Sequence, residues 1–368
     1  MTLDIPKEKI LITGVTGYIG FKTLLIALER GYPIRALIRK QAHIAGLTNK
    51  SSAIAEATKT GKLEFTIVPD FLDQNAVFTA LQGITGIIHL ASPLAVQTEN
   101  YKKDIIRPAV SMVTTFLEAA RRVESVKRVV ITSSCVTLIP FQWNMDLDSE
   151  RFYNSASDIN PTLNSTPTNP MEAYWLSKAL ARRAVCEFTS TPDQYPKPIF
   201  DTVQLLPGVV IGPDDRLDPS KSNKNPASAV LSGTRAAVLA PALTADLNSA
   251  FPYVTVPVHV SDVARAHVDA LDTEKVRGGS EFILAADTDN LGEGVNWDRD
   301  VRDVARKYFS DEVESGVLPC QGSLGSIRWK LDTRDTERVF GWKMSGFEET
   351  ARSLLRQYLE LKALEAKD

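Results

Sequence analysis

The run TGVTGYIG at Thr13–Gly20 constrains this chain more than any other feature. It follows a short β-rich apolar run, Lys9–Thr13, and opens a stretch of helical pattern, Tyr18–Arg30, with Gly31 in the stop position past its end. Glycines at 14, 17 and 20 let the backbone turn tightly and approach a diphosphate closely. A helix opening there adds free N–H donors and positive partial charge. A glycine triplet alone is weak evidence; its place between strand and helix gives it force.

The same rhythm continues to residue 135. Pro33–Ile38, Leu63–Val68, Gly86–Leu90 and Arg128–Thr132 read as strands. Asp73 is positioned to cap a helix ending at Leu81, and Asp104–Val123 sets apolar residues at helical spacing. Strands alternating with helices imply parallel pairing through right-handed crossovers. The predicted class is α/β, a Rossmann-type doubly wound parallel sheet with its ligand at the carboxyl ends of the strands. Beyond Cys135 the spacing predicts a helix over Met171–Thr189, a strand over Asp201–Leu206, a helix over Ser261–Leu271 and a terminal amphipathic helix carrying Phe347, Leu354, Leu355 and Tyr358. Residues 140–170 and 212–257 are irregular and rich in Asn, Ser and Pro. The expected domains are 1–206 with parts of 258–290 for the dinucleotide, and 207–257 with 291–368 as a smaller C-terminal substrate lobe.

The 368 residues carry a net charge of −3, so no basic surplus draws the chain to nucleic acid or an anionic membrane. No stretch approaches the roughly 20 apolar residues of a membrane helix, and the N-terminal MTLDIPKEK has no signal-peptide core. Three cysteines with no close pair argue against a disulfide framework. Histidines 43, 89, 259 and 267 lie far apart, so no metal is expected. These features predict a cytoplasmic protein, a monomer or homodimer, with a small-molecule partner.

A ligand with a 2′-hydroxyl ribose usually meets Asp or Glu after the second strand. Arg39 and Lys40 stand there instead, with no carboxylate. A guanidinium can grip a 2′-phosphate through charge-assisted bonds, so NADP(H) is expected over NAD. Just past the third strand, Asp70 and Phe71 are further cofactor candidates; Asp70 either meets the adenine amino group or has a helix-capping or solvated role.

Reducing a carbonyl by hydride needs a proton donor at its oxygen, and a tyrosine assisted by an ammonium one helical turn on is suited to that. Tyr-x-x-x-Lys occurs three times, at Tyr18/Lys22, Tyr174/Lys178 and Tyr358/Lys362. Tyr18 lies within the glycine loop and Tyr358 in the terminal helix, whereas Tyr174 alone starts a helix that follows the fifth strand, whose end carries Ser133 and Ser134. The aromatic residues Phe141, Trp143 and Trp175 lie in or beside the long loops and either line an apolar pocket or pack locally.

Taken in order, TGVTGYIG, HLASP (His89–Pro93), RVVITSS (Arg128–Ser134), YWLSK (Tyr174–Lys178), LLPGVVIGP (Leu205–Pro213) and PVHVSDVARAH (Pro257–His267) resemble the extended short-chain dehydrogenases/reductases, and most closely the dihydroflavonol reductase-like branch. The resemblance implies Ser134, Tyr174 and Lys178 as a catalytic triad, with Lys178 lowering the Tyr174 pKa. It implies cofactor contacts at Gly14, Gly17, Tyr18, Ile19, Arg39, Leu90, Ala91, Ser92, Ser133, Pro207 and Val210, and places Pro93 beside the substrate. The expected activity is NADPH-dependent reduction of an aldehyde or ketone. Nucleotide-sugar epimerases or dehydratases, 3β-hydroxysteroid-type dehydrogenases and a non-catalytic NADP sensor are the alternatives. Ala109 stands near the point where many short-chain reductases keep an Asn for proton relay.

Overall fold

The computed structural model describes residues 8–93, 96–141, 151–158, 165–190, 199–217, 227–286 and 294–365. The chain forms two compact units. The first holds Met1–Pro140, Ile159–Leu206 and Ala264–Phe282; the second holds Phe141–Asp158, Pro207–Val263 and Ile283–Asp368.

The main sheet contains β1 (Ile10–Thr13), β2 (Ile34–Ile38), β3 (Leu63–Ile67), β4 (Gly86–His89), β5 (Arg128–Thr132), β6 (Asp201–Pro207) and β7 (Glu281–Leu284). Their order across the sheet is β7-β6-β5-β4-β1-β2-β3. Parallel pairing joins β1 to both β2 and β4, with Ile12 opposite Ala36 on one side and Ile88 on the other. From β1 the chain winds outward to β3, then returns to β4 on the opposite side of β1. The direction reverses between β1 and β4, where such sheets open a ligand crevice. Every residue of β1 and β4 is buried, as continuous apolar runs require in a sheet covered on both faces.

Helix α1 (Tyr18–Glu29) ends as its sequence predicts. Gly31, at φ +79°, donates to Leu28 O, and Tyr32 donates to Ala27 O, satisfying the last carbonyls. Two helices that the sequence reading passed over, α2 (Ala42–Thr48) and α3 (Ser52–Lys59), fill the β2–β3 crossover. Ser51 Oγ caps α3 by accepting from Ile54 N at 3.3 Å. Asp73 caps α4 (Gln74–Ala80), accepting from Asn75 N and Ala76 N. Helix α5 (Arg107–Arg121) presses Val113, Phe116, Leu117 and Ala120 into a core with Leu11, Ile87 and Val129. Helix α6 spans Pro170–Ser190.

The second unit is built on short parallel pairs. Val209–Ile211 pairs with Pro257–His259, and Tyr253–Val254 with Ser326–Ile327. Phe152–Tyr153 pairs with Lys330–Leu331, and this pairing carries 141–158 into the second unit, whereas the sequence reading grouped it with the first. The terminal helix Phe347–Glu365 buries Leu354, Leu355 and Leu361 along one stripe. Its Gln357 donates to the Asp214 carbonyl at 2.9 Å, and the buried Asp214 carboxylate holds Arg216 and Arg235. Among the described residues no helix is long and apolar enough to cross a membrane.

Candidate active site

The glycine loop forms a tight cradle at the end of β1. Gly14 has φ +75°, and a Cβ there would stand 3.0 Å from Ala91 N and 3.2 Å from the Leu90 carbonyl carbon. At Gly20 a Cβ would stand 2.1 Å from Gly14 O, so helix and loop approach at a distance only glycine allows. Gly17 donates to Gly14 O at 2.9 Å and opens α1. No side chain caps that helix and its first turn holds no acidic residue, which suits an anion. Tyr18 and Ile19 occupy its first two positions. These residues fit a dinucleotide diphosphate.

At the neighbouring strand end, Thr13 Oγ1 accepts from both Leu90 N and Ala91 N at 3.1 Å and pairs with His89 Nδ1 at 3.1 Å. Two incoming N–H bonds leave its single proton for Nδ1, so His89 carries its own proton on Nε2. Burial, reinforced by the Lys178 charge, pulls the His89 pKa down to about 3, so it is neutral at physiological pH. Leu90, Ala91, Ser92 and Pro93 follow, each half-buried.

The start of α6 fixes the tyrosine. Asn169 Oδ1 accepts from Met171 N and Glu172 N at 3.0 Å, and the Glu172 carboxylate reaches back to Thr168 N at 2.6 Å. Tyr174 lies in the next turn and Lys178 one turn further, its Nζ 5.9 Å from the Tyr174 ring centroid. Ser134, just past β5, hydrogen-bonds the Tyr174 phenol, and its Oγ also accepts from Val136 N at 3.4 Å. The structure therefore brings Ser134, Tyr174 and Lys178 together within the first unit.

Its electrostatics differ from expectation. Burial pushes the Tyr174 phenol up to about 12, with the Ser134 hydrogen bond opposing, whereas Lys178 was expected to lower it. Burial instead pulls Lys178 down to about 8. Cys135, beside Ser134, is pushed up to about 12 by burial and stays a thiol.

One turn beyond Lys178, the fully buried Arg182 side chain anchors α6 to the sheet. It grips Glu281 at the start of β7 through Nε at 2.9 Å and Nη2 at 2.6 Å, and donates to Thr137 Oγ1 at 3.2 Å. Gln204 Nε2, on β6, donates to the same carboxylate at 2.7 Å. Sequence reasoning missed Thr13, Arg182, Gln204 and Glu281, because nothing in local spacing pairs them.

The remaining candidates are placed as follows. Arg39 and Lys40 are exposed past β2. Asp70 is exposed and accepts from Leu72 N at 2.9 Å, a local turn, and Phe71 is buried against Phe116. Ser133 is buried and donates its N–H to Leu205 O at 2.7 Å. Trp175 is buried beside Tyr174, with ring centroids 6.4 Å apart. Pro207, Val210 and Phe141 belong to the second unit. Trp143 lies outside the described residues. Among the described residues no three metal-ligating side chains gather.

Residues 10–285 match the NAD dependent epimerase/dehydratase family. The chain is 33% identical to the ketoreductase CTB6 of Cercospora nicotianae, covering 96% of this chain and 95% of that one. The crystal structure of yeast methylglyoxal/isovaleraldehyde reductase Gre2 complexed with NADPH is similar at a TM-score of 0.76 and 21% identity, over 97% of this chain and 99% of that one. Vestitone reductase from alfalfa (Medicago sativa L.) is similar at 0.68 and 22% identity, over 97% and 100%. The seven-stranded sheet, the glycine cradle and these likenesses agree: the chain belongs to the NAD dependent epimerase/dehydratase family of extended short-chain dehydrogenases/reductases.

Proposed function

We propose that this protein is an NADPH-dependent reductase that converts an aldehyde or ketone to its alcohol, with Tyr174 as the proton donor. One observation carries the reading: a neutral phenol, hydrogen-bonded to Ser134, one helical turn from a buried ammonium. The likeness to a ketoreductase over nearly the whole chain supports it. The dinucleotide, when bound, supplies hydride to the carbonyl carbon. Ser134 Oγ orients the substrate oxygen beside the phenol. Tyr174 gives its proton to that oxygen as negative charge develops there, and Lys178 stabilises the phenolate left behind. A dehydratase reading has less support, since Ser134 is followed by Cys135 and Val136 rather than by an acidic pair.

NADPH consumption over a panel of aromatic aldehydes, β-keto esters, flavonoids and polyketide-like ketones tests the reading. No oxidation with any of them would refute it. The cofactor preference rests on Arg39. Arg39→Ala is expected to narrow the NADPH:NADH ratio of kcat/KM by about ten- to a hundredfold, the worth of one charge-assisted bond. An unchanged ratio would place the 2′-phosphate elsewhere.

The pH profile follows from Lys178. Reduction requires both phenol and ammonium protonated. The ammonium, at about 8, loses its proton well before the phenol at about 12. Activity should therefore be level below pH 8 and fall as pH rises through about 8. A kcat/KM profile that stays level to pH 10 would count against a role for that ammonium.

A further inference from the structure

Ser134 stands on extended backbone past β5, and a single 3₁₀ turn, Cys135–Thr137, follows it. Such turns have poor hydrogen-bond geometry and hold their ends weakly. Here a side chain reinforces the turn. Thr137 Oγ1 donates to the Ser134 carbonyl at 2.8 Å, beside the Thr137 N–H, which donates to the same oxygen at 3.1 Å. The hydroxyl has one proton and spends it there, so toward any further partner it accepts. Arg182 Nη1 supplies that bond at 3.2 Å and also reaches the Thr137 carbonyl at 3.4 Å.

Arg182 stands on α6 two turns beyond Tyr174 and one beyond Lys178, along one side of the helix. Nε and Nη2 of its guanidinium hold the Glu281 carboxylate at the start of β7. Turning the guanidinium away from Thr137 would break a buried ion pair. A continuous line of bonds therefore runs from Glu281 through Arg182 and the Thr137 hydroxyl to the Ser134 carbonyl. Thr137 is wholly buried, and bonds in such surroundings are stronger than in water.

We infer that Thr137 is a positioning residue: its hydroxyl ties the Ser134 backbone to α6 and so keeps the Ser134 hydroxyl within reach of the Tyr174 phenol. This rests on the reductase reading, in which both groups meet the substrate oxygen. The two arrive on separate segments, so their spacing must be set by contacts between those segments. On the strand side Ser133 N donates to Leu205 O at 2.7 Å. On the helix side the tie is Thr137 with Arg182. Thr137 itself touches no reacting atom and acts through Ser134.

Two substitutions at one position test this. Thr137→Val removes the hydroxyl at nearly constant volume, and Thr137→Ser keeps it. Thr137→Val should lower kcat for carbonyl reduction by about tenfold to a hundredfold, the cost of a small misplacement at the reacting centre. KM for NADPH should not change, because the glycine cradle is untouched. Thr137→Ser should stay close to wild type. Wild-type kcat in Thr137→Val, a loss confined to KM, or a loss that Thr137→Ser shares in full overturns the inference. Arg182→Lys keeps a cation beside Glu281 but lacks the planar fork. Combined with Thr137→Val, it should cost no more than the larger single loss, whereas additive losses overturn the shared route.

Crystal structures of the wild type and Thr137→Val give a readout free of turnover. Ser134 Oγ should lie within hydrogen-bond distance of the Tyr174 phenol in the first and beyond it in the second. The same contact in both overturns the inference. A wild-type protein that oxidises no NADPH with any carbonyl refutes the reductase reading instead, and the pair of structures still judges Thr137. If Thr137→Val fails to fold, Arg182→Lys against wild type decides by the same measurements.

Discussion

Tyr174→Phe is expected to lower kcat for carbonyl reduction by about 10²–10⁴-fold, the usual worth of a positioned general acid. That corresponds to about 3–5 kcal/mol in the barrier. The substitution removes one oxygen and keeps the ring, so the edge contact with Trp175 and the cation contact with Lys178 persist. The glycine cradle is untouched, and NADPH binding, followed by fluorescence titration, should change little. Ser134 loses its phenol partner but keeps the Val136 N–H. A variant within threefold of wild type would show that the proton comes from another group. Loss of both binding and turnover would mean the phenol acts by shaping the cleft.

Arg182→Met should destabilise the first unit strongly, by about 3–5 kcal/mol. The guanidinium is wholly enclosed, and the Glu281 carboxylate it pairs with is only 16% exposed. Removing one partner of a buried pair leaves a charge without compensation, whereas replacing both by apolar groups is often neutral. Denaturant unfolding should therefore show a large fall for Arg182→Met and substantial recovery for Arg182→Met with Glu281→Leu. Gln204 also donates to Glu281, so the recovery will be incomplete if its freed amide finds no new acceptor. Equal stability of the single variant and wild type would mean that the pair adds nothing to the hold on α6.

The strands of the first unit were legible because burial on both faces writes them as unbroken apolar runs, as in Ile10–Thr13 and Arg128–Thr132. The crossover helices α2 and α3 were not. Gly46 and Asn49 interrupt a weak pattern, and what fixes those helices is the need to carry the chain between two parallel strands. The choice of Ser134 over Ser133 rests on the family resemblance, whereas the pair Tyr174 and Lys178 could be singled out by its place on a helix after the fifth strand, since a four-residue spacing on a helix has a fixed spatial meaning. The environment of those residues could not. Burial of Tyr174 and Lys178 depends on what the folded chain lays over them, and it reversed the expected direction of the phenol shift. The partners that hold the helix in place, Thr137, Gln204 and Glu281, come from segments up to 99 residues away from Arg182 and leave no local trace.

The interlock of Gly14 and Gly20 has a thermodynamic corollary. With Gly14 boxed between the chain after β4 on one side and the first turn of α1 on the other, the loop has one conformation available whether or not an anion is present. Capture of the dinucleotide then needs no ordering of that backbone, and the entropy usually surrendered when a loop closes on a ligand has already been lost in folding. A diphosphate seated there would thus meet a backbone already set in the unliganded protein, secured by the same close contact that forbids any larger residue at position 20.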